Sequence, residues 1–266
     1  MPGPFQNFPT PPERRLSESD DTKDLTPLFE EWPFEPGQLS VRVIQGLDGA
    51  PRLQMRVDLG ILQMELRGRP DGQRPDGFES LLELHETRLD HHDEEDDFVL
   101  SPEDCRFLRE EAAQFYHRYI SLLVLGDYSG VIRDTTRNMR LLDFCREYAE
   151  ADEDREILEP FRSYITMMRA RAIAGQAVTD DEPKAALLAI DDGLEAVRKV
   201  YESQGRLDAY ETAHEVELLR GMRAELSKKL PTSQRSELKK RLQEALEREN
   251  YELAAILRDE LKSLRE

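Results

Sequence analysis

Ser236–Glu266 reads SELKKRLQEALERENYELAAILRDELKSLRE. Leucines fall at Leu238, Leu242 and Leu246, and a second apolar set follows at Ala254, Leu257, Leu261 and Leu264. Spacings of three and four place each set on one face of a helix. Between them, Glu249-Asn250-Tyr251 interrupts the period with a residue that tolerates turn geometry. The pattern predicts two short helices folded back on each other. Ala254 and Ala255 sit near the bend, where small side chains allow close approach.

The combination Leu242, Leu246, Glu249, Tyr251-Glu252, Ala254-Ala255, Leu257-Arg258-Asp259 and Leu264 resembles the UVR motif, the helical hairpin of excinuclease subunits B and C. The resemblance covers about the last 30 residues. It implies protein–protein contact, since in the excinuclease such hairpins pair one subunit with the other. Similar hairpins occur in a Clp chaperone ATPase and in the activator of a protein arginine kinase, although the zinc-binding C-x2-C pairs of that activator are missing here. The residues expected to meet a partner are Leu242, Leu246, Tyr251, Ala254, Ala255, Leu257, Arg258, Asp259, Leu261 and Leu264. The partner is a helical hairpin of another protein or of a second copy, the latter giving a homodimer.

Charge separates this stretch from the remainder. From Lys228 onward the chain carries 10 Lys and Arg against 8 Asp and Glu, a net +2, so the rest carries −21 within a total of −19. A body of that sign opposes phosphate contacts, which need clustered Lys and Arg. Nucleic acid is therefore disfavoured as a partner of the body. Hydrophobic residues make up 38% and charged residues 35%, a balance that suits a polar, mostly helical protein. Two cysteines far apart, Cys105 and Cys145, favour neither a disulfide framework nor a zinc site, and they fit a reducing, cytoplasmic setting. No apolar run approaches membrane-spanning length.

The fold class predicted is α+β, mainly α: a small antiparallel β meander, an α-helical repeat-like bundle and the C-terminal hairpin. Residues 1–30 hold five prolines by Pro12 and then SESDDTKD, a composition expected to remain disordered; a docking motif around Trp32, between Phe29 and Phe34, is conceivable at its end. Residues 31–100 form the second segment. Alternation in Ser40–Ile44, an Asp48-Gly49 step, Leu53–Leu59 and Ile61–Leu66 predict three strands. Arg69-Pro70-Asp71-Gly72 and Arg74-Pro75-Asp76-Gly77 read as successive tight turns, either a rigid connector or a loop presenting Arg69 and Arg74 to an anion. A helix from Leu81 to Leu89 precedes an acidic stretch.

Residues 101–230 are read as five helices. Ser101-Pro102-Glu103-Asp104 is a strong start signal, with an N-cap serine, proline in the first turn and early acids. The helices are expected over 102–125, 128–150, 155–174, 183–201 and 207–230. Similar offsets after Tyr128 and after Pro183 suggest a repeat of ~55 residues, weakly like tetratricopeptide packing, whose repeat is ~34 residues. Pro231 ends the body, leaving 231–266 for the hairpin.

Catalytic chemistry is not signalled. There is no G-x4-G-K-[ST], G-x-S-x-G, G-x-G-x2-G or C-x2-C. No cofactor and no metal is expected. Arg133, Arg137 and Asn138, with Asp134, cluster on one side of a helix and offer a candidate peptide groove, the alternative being a solvated charged face. These readings converge on a non-enzymatic protein-interaction adaptor, linked to excinuclease repair or to Clp-type protein quality control. Two alternatives stand beside it. One is a DNA-binding repair accessory using Lys228, Lys229, Lys239, Lys240 and Arg241. The other is a metal-dependent enzyme using the stretch from His85 and Glu86 through His91, His92 and Asp97.

Overall fold

The computed structural model describes residues 24–92, 97–229, 234–248 and 250–263. It comprises two compact units, the first ending at Gln63 and the second beginning at Met64. The protein is mainly helical with one small antiparallel sheet. The turn loop and first long segment after Met64 thus group with the helices, where the sequence reading places them with the strands.

In the first unit, α1 (Thr26–Glu31) is a short helix, so chain order begins before residue 30; residues 1–23 of the expected tail lie outside the described residues. Strands β1 (Val41–Gln45), β2 (Pro51–Val57) and β3 (Gly60–Glu65), the last running past Gln63, lie in the order β1-β2-β3. Val41 stands opposite Met55 and Val43 opposite Leu53. The β1–β2 turn closes through the Gly46 amide donating to Ala50 O at 2.8 Å, and Gly49 takes a φ of 79° that favours glycine. β2 is buried on both faces, with Gln54 and Arg56 inside as well as Leu53 and Met55. Arg56 explains this: its guanidinium lies 4.2 Å from the Phe29 ring and Nε donates to Trp32 O at 2.9 Å. Trp32 itself donates from Nε1 to Ser40 Oγ at 2.7 Å and lies under Arg42. The segment read as a docking motif is instead cover for the unit's own sheet.

In the second unit the Arg-Pro-Asp-Gly doublet leads into α2 (Leu81–Asp90). Gly72 and Gly77 both have positive φ, as the turn chemistry requires. Arg69 does not face outward: its Nε lies 3.0 Å from Asp71 and 3.7 Å from buried Glu111, while Gln114 donates to Asp71 at 3.0 Å. These contacts tie the loop to the next helix, which favours the connector reading for Arg69. Arg74 remains exposed near Glu79.

α3 (Pro102–Leu125) starts at the serine N-cap expected from its sequence, and the structure adds a reciprocal bond. Ser101 Oγ accepts from the Asp104 amide and Asp104 Oδ2 accepts from the Ser101 amide, each at 3.2 Å. Gly126, left-handed at φ 75°, ends it, and Asp127 caps α4 (Tyr128–Tyr148) by accepting from the Gly130 amide. The third expected helix is split: α5 (Asp152–Glu156), a 3-10 turn Glu159–Phe161, then α6 (Arg162–Thr179). Pro160 has no amide proton to continue an α-helix from α5. α7 runs Pro183–Ser203. The fifth expected helix also breaks, into a 3-10 segment Leu207–Thr212 and α8 (His214–Lys229), because Tyr210 turns inward to donate to Leu194 O at 3.1 Å.

Each helix packs on the next long one: α3 on α4, α4 on α6, α6 on α7 and α7 on α8. Gly193 permits a close crossing of α7 on α6, since a Cβ there would stand 2.3 Å from the Ala170 Cβ. The core joining α2, α3, α4 and α6 includes Leu82, Leu108, Leu141, Leu142 and Ile165, together with the free thiols Cys105 and Cys145.

Candidate functional site

The C-terminal hairpin consists of α9 (Gln234–Glu247) and α10 (Tyr251–Ser263), packed against each other. Asn250 makes the bend. Its amide donates to Ala245 O at 2.9 Å, closing α9, and its side-chain oxygen accepts from the Leu253 amide at 3.2 Å, capping α10. The break predicted at Asn250 therefore has a specific chemical origin.

The described residues show the part of the seam nearest the bend. Ala245, Ala254 and Leu257 are buried, and Leu242 packs against them half-buried. Two alanines at the crossing let the helices approach closely. The expected set is thereby divided. Leu242, Ala254 and Leu257 hold the hairpin together, whereas Leu246, Tyr251, Ala255, Arg258 and Asp259 face outward. Arg258 and Asp259 pair with each other at 3.1 Å on the surface. The side chains of Leu261 and Leu264 lie outside the described residues.

Among the described residues of the hairpin, four large apolar side chains are exposed: Leu246 at 50%, Tyr251 at 67%, Leu253 at 37% and Ile256 at 64%. Leu253 and Ile256 lie three apart on α10, beside the seam rather than in it. The sequence reading omits Ala245, Leu253 and Ile256. The available signal was that ELAAIL carries more apolar residues than one seam can absorb.

The second candidate, Arg133, Arg137 and Asn138 on α4, has a different character. Arg133 and Arg137 border a cavity of about 470 Å³ between α2, α3 and α4. Asn138 is buried and donates to Ala112 O at 3.0 Å. Arg137 lies 4.1 Å from the Phe115 ring and pairs with Glu111, which is fully buried; burial pulls the Arg137 pKa down to about 9, still protonated at neutral pH. Glu111 also accepts from the Leu81 amide at 2.7 Å, fixing the start of α2. Arg133 is the exposed member and reaches Asp134 at 2.9 Å and Leu66 O at 3.1 Å. Neither a peptide groove lined by all three nor a wet charged face describes this arrangement, because Arg137 and Asn138 are interior.

The histidine-rich stretch is dispersed. His85 is buried on α2, 3.7 Å from Asp104, and burial lowers its pKa. Glu86 pairs with Arg140, and His92 packs edge-on to Phe98. Asp93–Asp96 lie outside the described residues. Among the described residues, no group of three or more His, Cys, Asp or Glu is placed to hold a metal ion.

A two-helix unit that buries Ala245, Ala254 and Leu257 and exposes Leu246, Tyr251, Leu253 and Ile256 is, by class, a helical hairpin with an apolar outer face. Residues 232–266 match the family described as the UvrB/uvrC motif (UVR), which is a protein-interaction module. No curated protein and no solved structure matches the chain. Among the described residues no helix is long and apolar enough to cross a membrane.

Proposed function

We propose that this protein is a non-enzymatic, cytoplasmic adaptor whose UVR hairpin docks against a helical hairpin of another protein, bringing the acidic body with it. The observation that carries this reading is the exposed set Leu246, Tyr251, Leu253 and Ile256 on a hairpin already closed by other residues. A fold that needed these side chains for its own stability would bury them. Covering each, since they are already partly buried, contributes about 1–2 kcal/mol before the costs of association, which suits micromolar binding to a second hairpin. The match to the UvrB/uvrC motif supports a partner from excinuclease repair or from Clp-type quality control, both of which use such hairpins.

Light scattering with size exclusion, on the full chain and on a version ending at Pro231, tests the reading. A dimer that becomes a monomer on truncation identifies a second copy as the hairpin's partner. Two monomers direct the hairpin to another protein, to be captured with the isolated hairpin as bait. Two dimers place assembly in the body and overturn this account of the tail.

A further inference from the structure

The helical body holds an open cavity of about 360 Å³ between α3, α4, α6 and the turn that precedes α6. That volume lies in the range of small-molecule pockets. From α3 it takes Arg109, Ala112, Ala113, Tyr116 and Tyr119, whose spacing puts them along one face of the helix. From Arg109 to Tyr119 the axis rises about 15 Å. The cavity therefore runs lengthwise along α3, with a cation at one end and a phenol at the other. Alanines leave room in the middle of this stripe, and aromatic rings close over it. Tyr116 stands edge-on to Tyr119 at 5.5 Å, and Tyr164 of α6 lies 6.2 Å from Tyr116.

Both ends carry hydrogen-bonding groups that the fold leaves unused. Tyr119 is 1% exposed, yet its hydroxyl makes no hydrogen bond among the described residues. Burial pushes its pKa above the ordinary phenol value, which keeps the hydroxyl a neutral donor. An interior hydroxyl without a partner is destabilising, and native proteins rarely keep one unless a bound molecule or a water meets it. Arg109 gives Nη1 to Asp154, whereas its Nε and Nη2 have no hydrogen-bond partner among the described residues. Arg109 is also the one charged residue among the described lining residues. Asn138, on the α4 wall, is already engaged through Ala112 O.

We propose that this cavity binds a small aromatic carboxylic acid that carries a hydroxyl opposite its carboxylate. The carboxylate takes the unused N–H groups of Arg109, the ring lies over Ala112 and Ala113 beside Tyr116 and Tyr164, and the far hydroxyl accepts from Tyr119. Apolar burial and ring contact supply the attraction, and the two polar ends fix the orientation. This gives the body a ligand of its own, beyond the hairpin reading and not resting on it.

The test titrates the full chain with para-hydroxybenzoate, para-hydroxyphenylacetate and para-hydroxycinnamate, three lengths of this class, by ligand-observed NMR to millimolar concentration. At least one is expected to saturate. For that acid, the analogue lacking the hydroxyl and the analogue with a carboxamide should each bind about fivefold to tenfold more weakly. Tyr119→Phe should weaken the hydroxylated acid by a similar factor and leave its dehydroxylated analogue unchanged. A purely structural role for Tyr119 would weaken both, and retained binding of the analogue shows that the variant is folded. Ala113→Trp, at an exposed position on the cavity wall, should weaken all of them by about tenfold or more by filling the space. Absence of saturable binding by all three acids leaves Tyr119 to a water and overturns the proposal. Equal binding of the carboxamide, an equal effect of Tyr119→Phe on both acids, or binding unchanged by Ala113→Trp each overturns it as well. Oligomeric state, which tests the hairpin reading, is measured separately.

Discussion

Arg118 on α3 and Asp134 on α4 form a two-point ion pair: Nε reaches Oδ2 at 2.7 Å and Nη2 reaches Oδ1 at 2.8 Å, with the side chains 1% and 0% exposed. Arg118 then donates from Nη1 to Gly68 O at 2.7 Å and to Glu65 O at 3.0 Å. One guanidinium thus joins two helices to the loop that leads into α2. A charge buried to this degree is stable only while its partners are in place.

Breaking that pair from one side strands the other charge. Asp134→Asn or Arg118→Met is expected to lower unfolding free energy by about 3–5 kcal/mol, whereas the double change Arg118→Met with Asp134→Leu costs less than the two single effects added. Urea titration of the four proteins gives the coupling energy. Additive losses would mean the pair acts as two independent groups.

On the hairpin, inward and outward residues should separate by phenotype. Leu257→Ala removes a buried seam residue and is expected to cost about 2–5 kcal/mol, enough to melt so small a unit. Ile256→Ser with Leu253→Ser should leave amide protection in α9 and α10 intact while abolishing association. Hydrogen exchange reads the first effect and light scattering the second. Protection lost in the serine variant would place those residues inside the hairpin's own fold.

Asn250→Ala removes the side-chain cap on α10 and should destabilise the hairpin by about 1 kcal/mol without touching its apolar face. The expected signature is faster amide exchange confined to the first turn of α10. Unchanged exchange there would show that the Ala245 carbonyl contact alone fixes the bend.

Acid should weaken the body through buried His85 and half-buried His117. Burial lowers the pKa of both His85 and His117, so the folded state holds fewer protons than the unfolded chain between their lowered pKa values and about 6.5. Their contribution is present above that window and is lost as pH falls through it. Urea stability measured from pH 7.5 to 5 should decline, and His85→Gln with His117→Gln should flatten the decline. A slope unchanged by the double substitution would assign it to carboxylates.

The helix starts were legible because each has a local chemical signature. Ser101-Pro102 with Asp104, Gly126-Asp127, Pro183 and Asn250 act on their own neighbours within a few residues, and the observed helices begin or end at them. Where an expected helix broke, the cause was local in one instance and distant in the other: Pro160 could be read from sequence, but Tyr210 turning to Leu194 O could not. The inward turn of Arg69 was equally hidden, since an Arg-Pro-Asp-Gly turn looks the same whether its guanidinium meets solvent or the carboxylate of Glu111.

By itself, the sequence determined the helical class, the antiparallel meander, the acidic body and the UVR hairpin at residues 232–266, because periodicity, caps and composition act along the chain. Only the tertiary structure decided which polar residues are structural and which apolar residues are spare. Arg137 and Asn138 carry the same sequence signal as a wet helix face until α2 and α3 close over them, and Leu246 carries the same signal as Leu242 until α10 crosses α9 at two alanines and leaves it outside. Burial is a property of what packs against a residue, and that partner is set by folding in three dimensions rather than by its neighbours in the chain.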